Sequence, residues 1–239
     1  MKYTFLKNNL IFSSEHYTNL IPKEYKDIFH GKMDLLRTHK GWDLGSAILI
    51  EGLEKHFGPI VFKAEVSRLL VDLNRSIGHK NLYSEFTKTL PPSEKLALLD
   101  EYYFPYRDSF EKTLDEMKGT KNKPVIHIAI HSFTPIWNGE ERNADIGILF
   151  DPAHLLEKDF CEQWKKSINN LFPKYKVRSN YPYHGKADSL PTAIRRVRKN
   201  SYLGIELEIN QAFFSKNGRT LLDSKLTDCI VETLNHILV

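Results

Sequence analysis

Short apolar runs alternate along this chain with longer stretches whose apolar residues recur every three or four positions. Leu10 to Ser13 is a short apolar run ending in Ser13-Ser14-Glu15-His16, a strand running out into a polar turn. Pro22 stands where a helix can begin, and Lys23 to Phe29 has helical character. Trp42 to Phe57 places Leu44, Ile48, Leu49, Leu53 and Phe57 on one face of an amphipathic helix. Pro59 to Val66 reads as a strand, and Ser67 to Asn74 carries a second apolar stretch, Leu69-Leu70-Val71, which reads as a further strand. Two prolines and Ser93 open a long helical candidate over Ser93 to Lys118. Pro124 to Ile130 is apolar apart from His127 and reads as a buried central strand. Asp145 to Phe150, Lys174 to Val177 and Leu203 to Ile209 follow as strands, and Leu155 to Leu171 and Leu222 to Val239 as helices. Strands alternating with helices predict a three-layer α/β/α sandwich around a mixed, mostly parallel sheet.

Composition changes that picture little. The 239 residues are 41% hydrophobic and 27% charged, which fits an ordinary globular chain and excludes a disordered one. With no repeat and no Gly/Ser linker, residues 1–239 are expected to form one domain. The net charge of +4 is too small, over this length, to imply nucleic acid. Two cysteines without CxxC spacing exclude a disulfide framework and an all-cysteine zinc site. No apolar run is long enough to cross a membrane. Met1 to Asn9 breaks its apolar residues with Lys and Asn, a poor signal peptide, so a cytoplasmic location is expected.

The chemistry is expected at the C-terminal ends of the strands, where binding crevices of such sheets lie. Four apolar stretches end in or carry reactive groups: Glu15-His16, Asp72-Leu73-Asn74-Arg75, His131-Ser132 and Glu206-Leu207-Glu208. Imidazoles and a carboxylate are the usual ligands of a catalytic zinc. His16 and His131 are the first two candidates, against the plainer role of hydrogen-bonded histidines at strand ends. Glu15, Asp43 and His39 compete for the third place, with Asn19 a weak neutral choice; helix capping would account equally for Asp43. Glu206, between Ile205 and Leu207, is a costly carboxylate unless it is paired, protonated or employed in proton transfer. Its plainer role is an ion pair with Arg68 or Arg75. Arg75, Arg68 and Arg142 are candidates for gripping an anionic substrate. Asn74 is well placed directly after an apolar stretch, and Asn180-Tyr181-Pro182-Tyr183-His184-Gly185 reads as a polar aromatic loop able to cover a small pocket.

These segments resemble, in order, the N-formylglutamate amidohydrolase family. The likeness is carried by Ser14-Glu15-His16 with Asn19-Leu20-Ile21-Pro22, Trp42-Asp43-Leu44-Gly45, Ser67 to Arg75, His131 to Pro135, Asp145-Ile146-Gly147, Asn180 to Tyr183 and Gly204-Ile205-Glu206. It spans about residues 10 to 210. A more distant likeness is to the zinc carboxypeptidase and aspartoacylase group, which implies His131 as a zinc ligand, Glu206 as general base and Arg75 as a substrate or oxyanion contact. The chain departs from that group's His-x-x-Glu pair, having His16-Tyr17-Thr18-Asn19. Asp43 is assigned as the replacement carboxylate, because the Trp-Asp-x-Gly pattern makes no other evident demand for an acid. The resemblance implies a single hydrolase domain, a zinc-dependent amidohydrolase acting on a small anionic N-acyl amino acid such as N-formylglutamate. It further implies ligands His16, Asp43 and His131, catalytic Glu206 and Arg75, and substrate contacts at Arg68, Asn74, Arg142, Asn180 and Tyr183. The competing expectations are a non-catalytic binding protein that keeps the pocket and has lost the metal, and a hydrolase of another peptide-like substrate.

Overall fold

The computed structural model describes residues 5–58 and 60–238. The first four residues of the Met1 to Asn9 segment, Pro59 of the expected second strand and Val239 of the closing helix lie outside them. In chain order the elements are β1 (Leu10–Ser14), α1 (Met33–Leu36), α2 (Ser46–Phe57), β2 (Val61–Lys63), α3 (Pro92–Leu98), α4 (Phe104–Met117), β3 (Val125–Phe133), β4 (Ile136–Trp137), β5 (Glu140–Glu141), β6 (Ile146–Leu149), α5 (Leu155–Leu171), β7 (Val177–Ser179), α6 (Leu190–Arg198), β8 (Tyr202–Asn210) and α7 (Lys225–Ile237). Lys23–Phe29 is a 3-10 helix.

Six strands form one sheet in the order β2-β1-β3-β8-β6-β7. Every neighbouring pair is parallel except β6 with β8. Alternation along the strands divides the sheet into two unlike faces. One face carries Phe12, Ile128, Ile205, Leu207 and Ile148, all essentially inaccessible, and packs with Leu49 of α2, Trp164 of α5 and Ile230 of α7 in the main core. Trp164 satisfies its buried indole N–H on Thr233 Oγ1 at 3.0 Å. The other face is apolar only toward the start of the strands, where Ile11, Val125 and Tyr202 meet Phe110 of α4 and Ile194 of α6. Farther along, that face carries His127, His131, Glu206 and Glu208. The result is the three-layer sandwich that the alternating pattern foretold.

Three expectations are corrected. Ser67 to Asn74 is turn rather than strand; its Leu69, Leu70 and Val71 instead build a satellite core with Phe29, Leu36, Leu98 and Tyr103. The long helix over Ser93 to Lys118 is interrupted by a π turn at Leu99–Tyr103. Pro105 lacks the N–H that a regular α ladder would need at the start of α4, so the wider turn is accommodated there. The expected strand at Lys174 to Val177 begins only at Val177. The helix α6 has no counterpart among the expected elements. It starts at Ser189, whose side chain accepts from Thr192 N–H, with a proline in its first turn.

Candidate functional site

The polar end of the sheet gathers side chains from four separate stretches. In the β3–β8 register Ala129 lies opposite Glu206 and His131 opposite Glu208, so both acids emerge on the face that carries His131. His16 follows directly on β1, and its carbonyl accepts from Asp43 N–H at 3.0 Å, which ties the Trp42-Asp43 loop to the end of that strand. Gly45 then turns the chain into α2 with φ +86°, and a Cβ there would run into the ring of Phe214. The cap of α2 is Gly45, and Asp43 makes no side-chain capping bond, so its carboxylate is free for other use.

That carboxylate lies between two imidazoles. Asp43 Oδ2 is 2.9 Å from His131 Nδ1 and 3.3 Å from His16 Nδ1. The far side of each ring faces another buried acid: His16 Nε2 donates to Asp72 Oδ1 at 2.8 Å, and His131 Nε2 lies 3.2 Å from Glu15 Oε2. Glu15 also accepts from the Tyr106 hydroxyl at 3.0 Å. Burial pushes the carboxyls of Glu15, Asp43 and Asp72 up, but the neighbouring histidines, joined at Asp43 and Asp72 by Arg68, outweigh it; Glu15 falls to about 2, and Asp43 and Asp72 fall well below the ordinary range. Burial pulls His131 down, and the hydrogen bonds and charges of Asp43 and Glu15 reverse it, holding the ring protonated in the absence of another cation.

The donor set fits a metal ion. Nε2 of each ring faces Asp72 or Glu15, so both Nδ1 atoms converge on Asp43 Oδ2, and a cation bound there would take the place of the proton that His131 Nδ1 donates to that carboxylate. His16, Asp43 and His131 are all buried, and their ligand atoms lie within 4.8 Å of one another. Two imidazoles and one carboxylate, three protein ligands in all, match the count of catalytic zinc sites. Arg68 adds only one fixed positive charge, 3.0 Å from Asp43 Oδ1 and 3.7 Å from Asp72 Oδ2.

A cavity of about 190 Å³ opens over this group, lined among others by Arg75, Tyr183, His184, Ser189, Glu206 and Glu208. Such a volume suits a small metabolite rather than a large ligand. Glu206 Oε1 accepts from Ser189 Oγ at 3.0 Å. Neither Arg68 nor Arg75 pairs with Glu206; both turn to Asp72, Arg75 Nε at 3.8 Å. Burial raises the Glu206 carboxyl above its usual range and lifts Glu208 to about 8. Glu208 Oε2 has no hydrogen-bond partner among the described residues.

A family model described as FGase, N-formylglutamate amidohydrolase, matches residues 8–215. This chain belongs to the N-formylglutamate amidohydrolase family. The match reaches from the strand before His16 to beyond Glu208 and so takes in the whole polar end of the sheet. Among solved structures, a gene product of Agrobacterium tumefaciens is similar at 22% identity and a TM-score of 0.76, with 96% of this chain and 88% of that one covered. An N-formylglutamate amidohydrolase from Ralstonia eutropha is similar at 16% identity and a TM-score of 0.69, covering 96% and 93%. Both likenesses are likenesses of fold. No curated protein matches significantly.

Within this amidohydrolase fold, the residues singled out from sequence divide into two groups. His16, Asp43, Arg68, Arg75, His131, Tyr183 and Glu206 are brought together around the cavity. Asn74, Asn180 and Arg142 are not. Asn74 Oδ1 accepts from Leu190 N–H at 2.7 Å and fixes the start of α6. Asn180, at φ +50°, accepts from Phe150 N–H at 3.1 Å and Gly185 N–H at 3.0 Å, closing the loop that carries Tyr183. Arg142 stands beyond the cavity wall, between the rings of Trp137 and Tyr183 at 5.1 and 5.2 Å. Of the rival third ligands, Glu15 lies behind His131, Asn19 lines a different cavity, and His39 packs against Trp137.

Sequence reasoning did not foresee the parts of Asp72, Ser189 and His127. Asp72 stands in a recognisable motif, but which ring it meets depends on the turn at Ser67 to Asn74. His127 is wholly buried, with Ser13 Oγ 2.6 Å from one ring nitrogen and the Tyr202 hydroxyl on the other. Its signal is visible as the single polar residue in an otherwise apolar central strand.

Proposed function

We propose that this protein is a metal-dependent amidohydrolase that cleaves the amide of a small anionic N-acyl amino acid, with N-formyl-L-glutamate as the model substrate. The observation that carries this reading is the meeting of His16, Asp43 and His131 within 4.8 Å, in a cavity that Glu206 also lines. The whole chain then works as one hydrolase domain.

His16, Asp43 and His131 would hold the cation, with zinc the first choice for two imidazoles and a carboxylate. Bound there, it supplies Lewis-acid polarisation of the scissile carbonyl and acidifies water. Asp72 and Glu15 hold the two rings in the orientation that keeps both Nδ1 atoms turned inward. Glu206 takes a proton from the attacking water at its carboxylate and delivers it to the departing amine. Its raised affinity for protons, from burial, brings it closer to neutrality, where such shuttling is efficient. Ser189 fixes Oε1, so the other carboxylate oxygen is the one free to move the proton. Arg75 neutralises the substrate carboxylate or the developing oxyanion, and Arg68 offsets the charge of Asp43 and Asp72. Tyr183 and Arg142 shape the entrance.

Asn19, standing where a glutamate ligand would be expected, favoured a non-catalytic binding protein. That feature loses weight, since Asp43 offers a carboxylate to both histidines. The test is formate release from N-formylglutamate by zinc-loaded protein, before and after exhaustive chelation. Turnover that stops on chelation and returns with zinc is expected. Stoichiometric binding of the acyl amino acid without turnover would establish the binding protein instead.

A further inference from the structure

A cavity larger than the catalytic one lies away from the chemistry. An open cavity of about 760 Å³ sits on the far side of the Trp42-Asp43 loop: Trp42 lines it, while Asp43 lines the catalytic cavity. Its apolar lining includes Leu20, Ile21, Phe29, Met33, Leu36 and Trp42. Its charged lining is of one sign, with Lys26, Arg37, Lys216 and Arg219 and no acid. These cations come from three separate segments, so their proximity reflects tertiary folding rather than one basic run. Arg37 has Asp34 beside it at 3.4 Å on its own helix. Lys26, Lys216 and Arg219 have no ion-pair partner among the described residues.

We propose that this cavity is a second binding site, for a small amphipathic organic anion. Apolar walls with a few placed polar groups, in this volume range, are the usual make-up of a small-molecule site. The hydrocarbon part would lie on Phe29, Met33 and Leu36, and the anionic head would meet Lys26, Lys216 and Arg219. Mutual repulsion among those cations, with no acid to relieve it, favours an anion and disfavours a cation of the same shape. The walls are tied to the catalytic loops. Leu20 O accepts from Ser67 N–H at 2.8 Å, and Ser67 Oγ donates to Gly41 O at 2.7 Å. This second site does not depend on the hydrolytic reading.

The experiment is calorimetric titration of the full-length protein with octanoate, acetate and octyltrimethylammonium. Saturable binding of octanoate is expected, at least tenfold tighter than acetate, with none by the cation. Lys216→Glu with Arg219→Glu should weaken octanoate at least tenfold while leaving N-formylglutamate turnover or binding as in the parent protein. Met33→Glu, a change at an exposed position, should do the same through the apolar wall. Circular dichroism of each variant shows that it is folded. No saturable octanoate binding, equal binding of the cationic probe, or affinity unmoved by both folded variants would overturn the proposal. Octanoate that merely competes with N-formylglutamate, unaffected by the substitutions, would place it in the catalytic cavity and overturn it equally.

Discussion

Asp43 Oδ2 lies 2.9 Å from Nδ1 of His131, a residue 88 positions farther along the chain. A carboxylate so placed, with His16 on its other flank, has abandoned the capping role that its position before α2 would allow. Replacing it by Asn keeps the shape and removes the charge. Asp43→Asn should lower zinc affinity by at least 100-fold, more than loss of a supporting residue, for which about 10–100-fold is typical. Competition with a chromophoric chelator reads this directly, and unchanged affinity would remove Asp43 from the ligand set.

On the proposed reading Asp72 would support the His16 ring rather than hold the ion, so its removal should be milder. Asp72→Asn is expected to cost about 10–100-fold in metal affinity, with activity restored by excess zinc. Failure of excess zinc to restore any activity would show that Asp72 acts otherwise.

Glu206 and Glu208 share a face, but only Glu206 has its carboxylate fixed by Ser189. Glu206→Gln should lower kcat by about 10²–10⁴-fold with little change in metal content. Near-normal kcat in a zinc-replete variant would exclude Glu206 as the base.

His127 gives a prediction about pH. Burial pushes its ring down to about 3 from an ordinary 6.5, so the folded protein keeps it neutral. The unfolded chain binds the extra proton below 6.5. The stability from this group is therefore complete above pH 6.5 and is lost as pH falls toward 3, at up to about 1.4 kcal/mol per pH unit. Urea unfolding of the chelated protein at pH 4 to 7 should show a shallower pH slope for His127→Gln, whatever its absolute stability. Parallel slopes would contradict the assignment.

Gly147 of β6 faces Glu208 across the antiparallel pair, and a Cβ there would strike the carbonyl of Tyr181. Gly147→Ala should cost about 1–3 kcal/mol through forced displacement of that loop. It should also raise KM, because Tyr183 rides on the same loop. A variant with unaltered melting temperature and KM would show that the loop yields freely.

Much of this architecture is readable in the order of residues. Leu155 to Leu171 is legible at both ends, because its apolar stripe is regular and a histidine cap and a proline after Phe172 bound it. β3 is evident from an apolar run broken only by His127 and β8 from apolar residues interspersed with two glutamates, although each extends beyond the expected limits. Helix α6 escapes notice because Arg195, Arg196 and Arg198 give it a polar appearance, whereas Arg195 is buried. Arg195 Nε donates to Glu157 Oε1 at 2.7 Å and Nη2 donates to the Gly204 carbonyl at 2.7 Å. No local pattern announces a partner that far away in the chain. Leu69 to Val71 misleads for the opposite reason: apolar residues in succession mark burial, and in this fold turns rather than a strand bury them. At the site, the residue types and, for His131 and Glu206, their places on strands are visible. The division of the asparagines is not, because Asn74 and Asn180 serve backbone N–H groups that only the folded chain brings near.

Positions 16, 43, 131 and 206 are supplied by the turn after β1, the loop before α2, β3 and β8, so the centre has no local precursor. A nascent chain leaving the ribosome would carry isolated histidines and acids until β3 is made and pairs with β1. On the proposed reading, cation capture waits for residue 131, and products truncated before β3 should make poor scavengers of zinc.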